Sequence, residues 1–171
     1  MATVPAGLFQ SRMIGIRLFW FGKPRNRSPE DDLVRRYTER LQPWAKFEQI
    51  VLKPLNIQSE SADKARMLEA QRFLERWDGK DFLVILDERG QQMTSPQMAT
   101  FFDQQLSDGQ ARFSFLIGGS YGVDSNLRQR ANQLLSLSKM TFPHGLARVL
   151  LVEQLYRSLA IRHNHPYHHE E

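Results

Sequence analysis

The sequence contains no cysteine. This absence excludes disulfides, a thiolate nucleophile, cysteine-ligated zinc and iron–sulfur clusters. No apolar run is long enough to span a membrane, and the first residues, MATVPAGLFQSR, lack the basic start and apolar core of a secretory signal. We therefore expect a cytoplasmic protein that does not act in a membrane.

The common nucleotide and hydrolase signatures are also missing. No GxGxxG follows the first predicted strand and no GxxxxGK[ST] occurs, so a dinucleotide or a triphosphate lacks its usual cradle. Ser120 in IGGSYG has only one of the glycines of a GxSxG nucleophile elbow. All five histidines lie after residue 143, four of them in a polar tail, without an HExxH pattern. We therefore predict neither a catalytic triad nor a metal site.

The composition is that of a globular protein with an uneven charge. The 171 residues are 41% hydrophobic and 25% charged, which predicts one domain over residues 13–171 and a flexible extension over residues 1–12. Residues 1–53 carry a net charge of +5 (ten basic, five acidic), and residues 110–171 carry +3 (seven basic, four acidic). The two basic ends could form a patch for a polyanion, although for charge alone solvated faces are the simpler explanation.

Strand-like and helix-like segments alternate along the chain. The patterns predict strands at 13–21, 47–52, 82–86, 113–117 and 135–137, and helices at 29–41, 59–77, 95–106, 123–135 and from Thr141–Pro143 to about Ile161. This alternation predicts an α/β fold with a mostly parallel sheet and helices on both faces.

Three predicted strands end in unusual loops: LDERG at 86–90, IGGSYG at 117–122 and SLSKMTF at 136–142. Ligands of open α/β sheets bind beyond the carboxyl ends of the strands, and a glycine lets the backbone approach a ligand closely. The loops therefore predict one small-molecule pocket. Gly118 and Gly119 could equally serve only to make a tight strand–helix turn.

The last predicted helix has more apolar residues than one buried stripe requires. They are Leu146, Val149, Leu150, Val152, Leu155, Leu159 and Ile161. The surplus favours a second surface, such as a dimer partner. A helix buried deep in its own core would give nearly the same pattern.

Three motifs, IGGSYG, SLSKMTFPHGLARVLLVEQLYRSLAI and HPYHH, resemble those of the bacterial large-subunit rRNA pseudouridine methyltransferases of the SPOUT class, the ribosomal RNA large subunit methyltransferase H family. The resemblance runs from Met13 to the C-terminus and is strongest from Phe115 onward. It implies a C-terminal trefoil knot, S-adenosyl-L-methionine as cofactor and an obligate homodimer. It also implies methylation at N3 of a pseudouridine in 23S rRNA of the assembled ribosome.

The resemblance also implies site residues. By motif match, the cofactor-binding residues are Leu86, Gly118, Leu137, Ser138, Lys139, Met140, Thr141 and Phe142. N3 must lose its proton, so a group is needed that accepts the proton or stabilises the anion. Tyr167 and His168 are the catalytic candidates, reaching the pocket of the other subunit. His169 stands where the family usually has Lys or Arg, so a titratable group replaces a fixed cation.

Other functions stay open at this point. For the tail, the alternative to a catalytic role of Tyr167 and His168 is that it only becomes ordered on rRNA. For the whole chain, one alternative is a non-catalytic RNA-binding or ribosome-associated protein of the same fold. Another is a SPOUT enzyme that acts on tRNA.

Overall fold

The computed structural model describes residues 13–23, 28–55 and 61–167. In this part of the chain, strands and helices alternate as predicted: β1 Ile14–Phe21, α1 Pro29–Leu41, β2 Ala45–Leu52, α2 Ala62–Leu74, β3 Phe82–Gln92, α3 Ser95–Ser107, β4 Arg112–Ile117, α4 Ser125–Arg130, β5 Gln133–Ser136 and α5 His144–Arg162. The α/β class is confirmed. The predicted extension at residues 1–12 lies outside the described residues.

The five strands form one sheet in the order β2-β1-β4-β3-β5. Every neighbouring pair is parallel, so the carboxyl ends of the strands meet at the same edge. β1 and β4, for example, are in register from Gly15 opposite Arg112 to Trp20 opposite Ile117.

The two faces of the sheet carry separate hydrophobic cores. Ile14, Ile16, Leu18 and Trp20 of β1 belong to a core with residues of α1, α3 and α5. The intervening Phe19 belongs to a second core with residues of α2 and α4. This division follows from the two-residue period of a strand, which sends successive side chains to opposite faces. It confirms the prediction of helices on both faces.

Neighbouring strands β1 and β4 send the chain to opposite faces of the sheet. β1 continues into α1 in the first core, whereas β4 continues into α4 in the second. The two connections therefore diverge at the carboxyl edge. Such a divergence is a topological switch point, which opens a crevice outside the strand ends.

Two predicted boundaries near β5 were wrong. The predicted helix 123–135 ends at Arg130, because both the main chain and the side chain of Asn132 bind Leu83 of β3. The Asn132 N–H donates to the Leu83 carbonyl over 2.9 Å, and Asn132 Oδ1 accepts from the Leu83 N–H over 2.8 Å. These bonds commit the chain to the sheet, and the last strand begins at Gln133 rather than at residue 135.

β3 was predicted to end at residue 86 but continues to Gln92. Its register with β5 shifts between Leu86 and Gln91. At Gly90 the two backbones come so close that a Cβ would lie 2.6 Å from the Leu134 carbonyl carbon. Only glycine fits at this crossing. The trefoil knot implied by the resemblance stays a prediction.

Helix α5 is packed largely within its own chain. Of the apolar residues singled out in its sequence, Val149, Val152, Leu155 and Leu159 are buried, Leu150 and Ile161 are half-buried, and Leu146 is 42% exposed. The helix packs against α1 and α3 as well as the sheet. Its own core therefore uses most of the apolar surplus, and a second surface on the part left uncovered stays a prediction. In the described part of the chain, no helix is long and apolar enough to cross a membrane.

Candidate functional site

A cavity of about 400 Å³ opens at the carboxyl edge of β3, β4 and β5. Seven of the eight predicted cofactor-binding residues line it: Leu86, Gly118, Leu137, Ser138, Met140, Thr141 and Phe142. Lys139 is not among the lining residues. The three loops chosen from the sequence therefore do meet, although Leu86 and Phe142 are 56 positions apart in the chain.

One wall of the cavity is the glycine turn that follows β4. The Gly122 N–H donates to the Gly119 carbonyl over 2.9 Å, and Gly122 has a φ of +82°, which favours glycine. A Cβ at Gly118 would lie 2.5 Å from Val123 Cγ2 and 3.2 Å from the Gly122 carbonyl carbon. The glycines are thus needed to form this turn, and the turn lines the cavity.

A second wall is the loop after β5, which its serines hold in shape. The Ser136 hydroxyl donates to the Ser138 carbonyl over 2.9 Å. The Ser138 hydroxyl accepts from the Met140 N–H over 3.0 Å. Side chain–backbone bonds of this kind fix a loop without a strand partner. The loop therefore presents a defined backbone surface to the cavity.

Charged side chains that were not predicted as ligands also line the cavity. Asp87 lies 3.4 Å from Arg128, and Arg66 Nη1 donates to the Tyr121 carbonyl over 3.2 Å. Glu88 and Arg89 complete the set. The LDERG sequence, which follows the buried part of β3, indicated that Asp87 to Arg89 lie near the cavity. Nothing in the sequence indicated this for Arg66 and Arg128, because their positions depend on how α2 and α4 pack.

His144, at the start of α5, also lines the cavity. Its pKa is lowered, first by burial and second by the charge of Arg148. Its Nδ1 is buried and has no hydrogen-bond partner. The imidazole is therefore neutral at physiological pH and can donate or accept a hydrogen bond.

The catalytic candidate Tyr167 does not line the cavity of its own chain. Its ring packs 4.5 Å from Tyr156 and under the guanidinium of Arg157 at 4.9 Å, and its hydroxyl donates to Glu153 Oε1 over 3.3 Å. Burial, a hydrogen bond with Tyr37 and the charge of Glu153 raise the pKa of Tyr167 to about 12. The phenol thus keeps its proton at neutral pH. The second candidate, His168, lies outside the described residues.

The residues from 13 to 167, apart from the gaps at 24–27 and 56–60, contain no group of three His, Asp or Glu side chains that could hold a metal ion.

Comparison with known proteins shows the family of this chain. The family model described as "Predicted SPOUT methyltransferase" matches residues 14–168, which is nearly the whole chain. The chain belongs to the SPOUT methyltransferase family.

The similar curated proteins include several named ribosomal RNA large subunit methyltransferase H. The one from Christiangramia forsetii is 38% identical over 157 residues, covering 90% of this chain and 98% of the relative. The one from Methylobacillus flagellatus is 42% identical over 135 residues, covering 78% of this chain and 86% of the relative. Among solved structures, the SpoU methyltransferase AviRb of Streptomyces viridochromogenes in complex with AdoMet is 12% identical with a TM-score of 0.43, and the match covers 95% of this chain and 64% of that one.

We predict that His144 titrates below the ordinary imidazole value of 6.5, because burial and Arg148 disfavour its charged form. The unfolded chain then binds more protons than the folded one, so this group lowers stability as pH falls through 6.5 towards the folded pKa. NMR titration of the ring Hε1 measures the midpoint, and the His144→Gln variant identifies the signal. A midpoint at or above 6.5 would contradict the burial of this side chain.

Proposed function

We propose that this protein is an S-adenosylmethionine-dependent methyltransferase that methylates N3 of a pseudouridine in 23S rRNA of the assembled ribosome. The observation that carries the proposal is the likeness, over nine-tenths of the chain, to relatives named ribosomal RNA large subunit methyltransferase H. The gathering of seven motif residues on one cavity supports it. A ribosomal substrate also supports a cytoplasmic location.

The residues of the cavity fit S-adenosylmethionine. Leu86, Leu137 and Phe142 offer apolar surface to a ring. Asp87 and Glu88 can accept hydrogen bonds from hydroxyl or ammonium groups, and the arginines of the same wall can pair with a carboxylate. The ligand carries all of these groups, and the mixed charge of the wall suits its zwitterionic end.

The proposed reaction asks little of the side chains. Bound S-adenosylmethionine supplies a methyl group that is already activated on a sulfonium. The chain has to bind and align the two reactants and exclude water, and alignment alone can account for a large part of a rate enhancement. The backbone walls formed by the glycine turn and the loop after β5 are suited to this task.

We propose a different role for Tyr167 than that of a base. With a pKa of about 12, its phenol is a donor that can stabilise negative charge developing on the target base. Its position outside the cavity of its own chain supports the proposal that it acts, with His168, in the cavity of a second subunit.

We also propose that the chain acts as a homodimer. What supports this is the part of α5 that its own core leaves uncovered, where Leu146 is 42% exposed and Leu150, one turn later, is half-buried. Both lie at the end of α5 nearest the cavity, since the neighbouring Ala147 lines it.

Replacing Leu146 by Glu is expected to shift a dimer of about twice the 20.0 kDa chain mass towards the monomer, because it places a charge in an apolar contact. Sedimentation equilibrium measures the mass. Met67→Glu is the matched control, since Met67 is 55% exposed on α2 on the other face of the sheet. A wild-type protein that sediments as a monomer at all concentrations would exclude the homodimer.

Gly118→Val is expected to weaken S-adenosylmethionine binding by at least about tenfold, a loss of about 1.4 kcal/mol, because the added side chain overlaps Val123 and displaces the glycine turn. Calorimetric titration measures the affinity. Gly15→Ala is the control, since a Cβ there meets its nearest atom at 3.4 Å. Normal affinity in a folded Gly118→Val protein would refute the proposed pocket, and a wild-type dimer that binds no S-adenosylmethionine would favour the non-catalytic alternative.

A strain that lacks this gene is expected to lose one methyl group from a pseudouridine of 23S rRNA and to regain it when the gene is restored. Mass mapping of rRNA and tRNA fragments locates the change. An unchanged 23S rRNA together with a tRNA fragment that has lost a methyl group would favour the alternative enzyme.

A further inference from the structure

A second cavity, of about 490 Å³, lies outside the carboxyl ends of β1 and β4. Trp20 and Phe21 line it from the end of β1, and Gly119 and Ser120 line it from the turn after β4. We call it the β1–β4 crevice. Gly119, Ser120 and His144 also line the proposed cofactor cavity, so the two cavities share a wall.

The crevice lies at the topological switch point of the sheet. The connections after β1 and β4 diverge to opposite faces at this place, which is where open α/β sheets bind ligands. The proposed cofactor cavity lies beside it, at the carboxyl ends of β3, β4 and β5. The position that the topology favours for a ligand therefore has no assigned occupant.

Buried polar atoms without partners cluster on this crevice. Among the described residues, six buried side-chain atoms have no hydrogen-bond partner, and four of them belong to residues lining the crevice: Trp20 Nε1, Glu69 Oε2, His144 Nδ1 and Arg148 Nε. Trp20, Glu69 and Arg148 are only 8%, 4% and 5% exposed. Buried polar groups are almost always paired in folded proteins, and leaving one unpaired costs about 1–3 kcal/mol. Four in one place point to a ligand that pairs with them.

The framework holds these groups in fixed positions. The guanidinium of Arg148 donates to Asp31 Oδ1 over 2.8 Å and stacks on the Trp20 ring at 3.8 Å. The carboxylate of Glu69 lies against Gly119, where any Cβ would overlap it. Groups held in this way lose little entropy when a ligand binds.

The chemistry of the crevice fits neither a simple anion nor a simple cation. Glu30, Asp31 and Glu69 line it and oppose an anion, while Lys23 and Arg148 line it and oppose a cation. Its unpaired atoms comprise two donors, one acceptor and one imidazole nitrogen that can act as either. A neutral ring that carries both carbonyl and N–H groups satisfies this set.

We propose that the β1–β4 crevice receives the target nucleobase of the RNA substrate, with Trp20 and Arg148 donating to its carbonyl oxygens and Glu69 accepting from its N–H. This inference rests on the proposed function. Pseudouridine differs from uridine in carrying an N–H at position 1 as well as at position 3. Glu69, by accepting from N1–H, is then the residue that distinguishes pseudouridine from uridine.

The environment of the Glu69 carboxyl agrees with such a role. Burial raises its pKa, while Arg72 and the Gly119 N–H lower it. The carboxyl is thus short of favourable donors, and an N–H of the ligand supplies one. The Glu69 carboxylate has two acceptor oxygens, one for the Gly119 N–H and one for the ligand N–H. The Gln side chain in Glu69→Gln has only one acceptor oxygen. Its NH₂ group must therefore face one of these two N–H donors, which is unfavourable.

The indole N–H signals of the three tryptophans test the proposal directly. When the ¹⁵N-labelled protein is titrated with pseudouridine nucleoside, the Trp20 signal is expected to shift. The Trp77 signal is the internal control and should not move, since its Nε1 is also buried and unpaired but lies outside the crevice. Uridine is expected to bind about tenfold more weakly, as for the loss of one hydrogen bond. A Trp20 signal that stays unmoved at saturating pseudouridine would overturn the proposal without the need for any variant.

Substitution of Glu69 provides a second test of the proposal. Glu69→Gln is expected to bind pseudouridine about as weakly as uridine, and to raise KM for ribosomes about tenfold, while calorimetric affinity for S-adenosylmethionine is unchanged. Glu75→Gln, the same change at an exposed position of the segment ending α2, should leave all three values unchanged. Equal preference of the folded Glu69→Gln and wild-type proteins for pseudouridine would overturn the role of Glu69. That result would leave the proposed methylation of 23S rRNA unaffected. Conversely, a shift of the Trp20 signal on addition of pseudouridine, without any methylation of rRNA, would contradict only the proposed reaction.

Discussion

The close approach of β3 and β5 determines how the proposed cofactor cavity is built. Leu83 is bound on both its N–H and its carbonyl by Asn132, and at Gly90 the β3 backbone passes the Leu134 carbonyl with no room for a side chain. Together these contacts bring the loop after β5 beside the turn after β4. Without these contacts, nothing described here would hold the residues from Leu137 to Phe142 opposite Gly118.

A second constraint links the cavity to the neighbouring crevice. Arg148 of α5 reaches Asp31 at the start of α1 and covers the Trp20 ring at the end of β1. Because Asp31 also takes part in the capping box of α1 with Ser28, one arginine ties the ends of two helices and a strand together. These contacts hold together three residues that line the β1–β4 crevice, beside the proposed cofactor cavity, and a reaction that depends on alignment requires such fixed walls.

The sequence predicted the fold class and the pocket because both follow from local patterns. Alternating strands and helices specify a parallel sheet, and loops after parallel strands share one edge. Local patterns failed where tertiary contacts decide the outcome. They could not show that Asn132 would end α4 early, nor that α1 and α3 would cover most of the apolar surface of α5. The sequence did not identify Arg66 as a lining residue of the cofactor cavity or Glu69 as one of the crevice. Both lie on α2, and the residues that a helical side chain contacts depend on how the helix packs.

The proposed function of this chain is the transfer of a methyl group to a ribosomal pseudouridine. The most direct measurement is the transfer of label from methyl-labelled S-adenosylmethionine to ribosomes isolated from a strain that lacks the gene. We expect label at N3 of one pseudouridine of 23S rRNA, and its loss with Gly118→Val. Absence of label in 23S rRNA, from a folded protein that binds the cofactor, would contradict the proposed function.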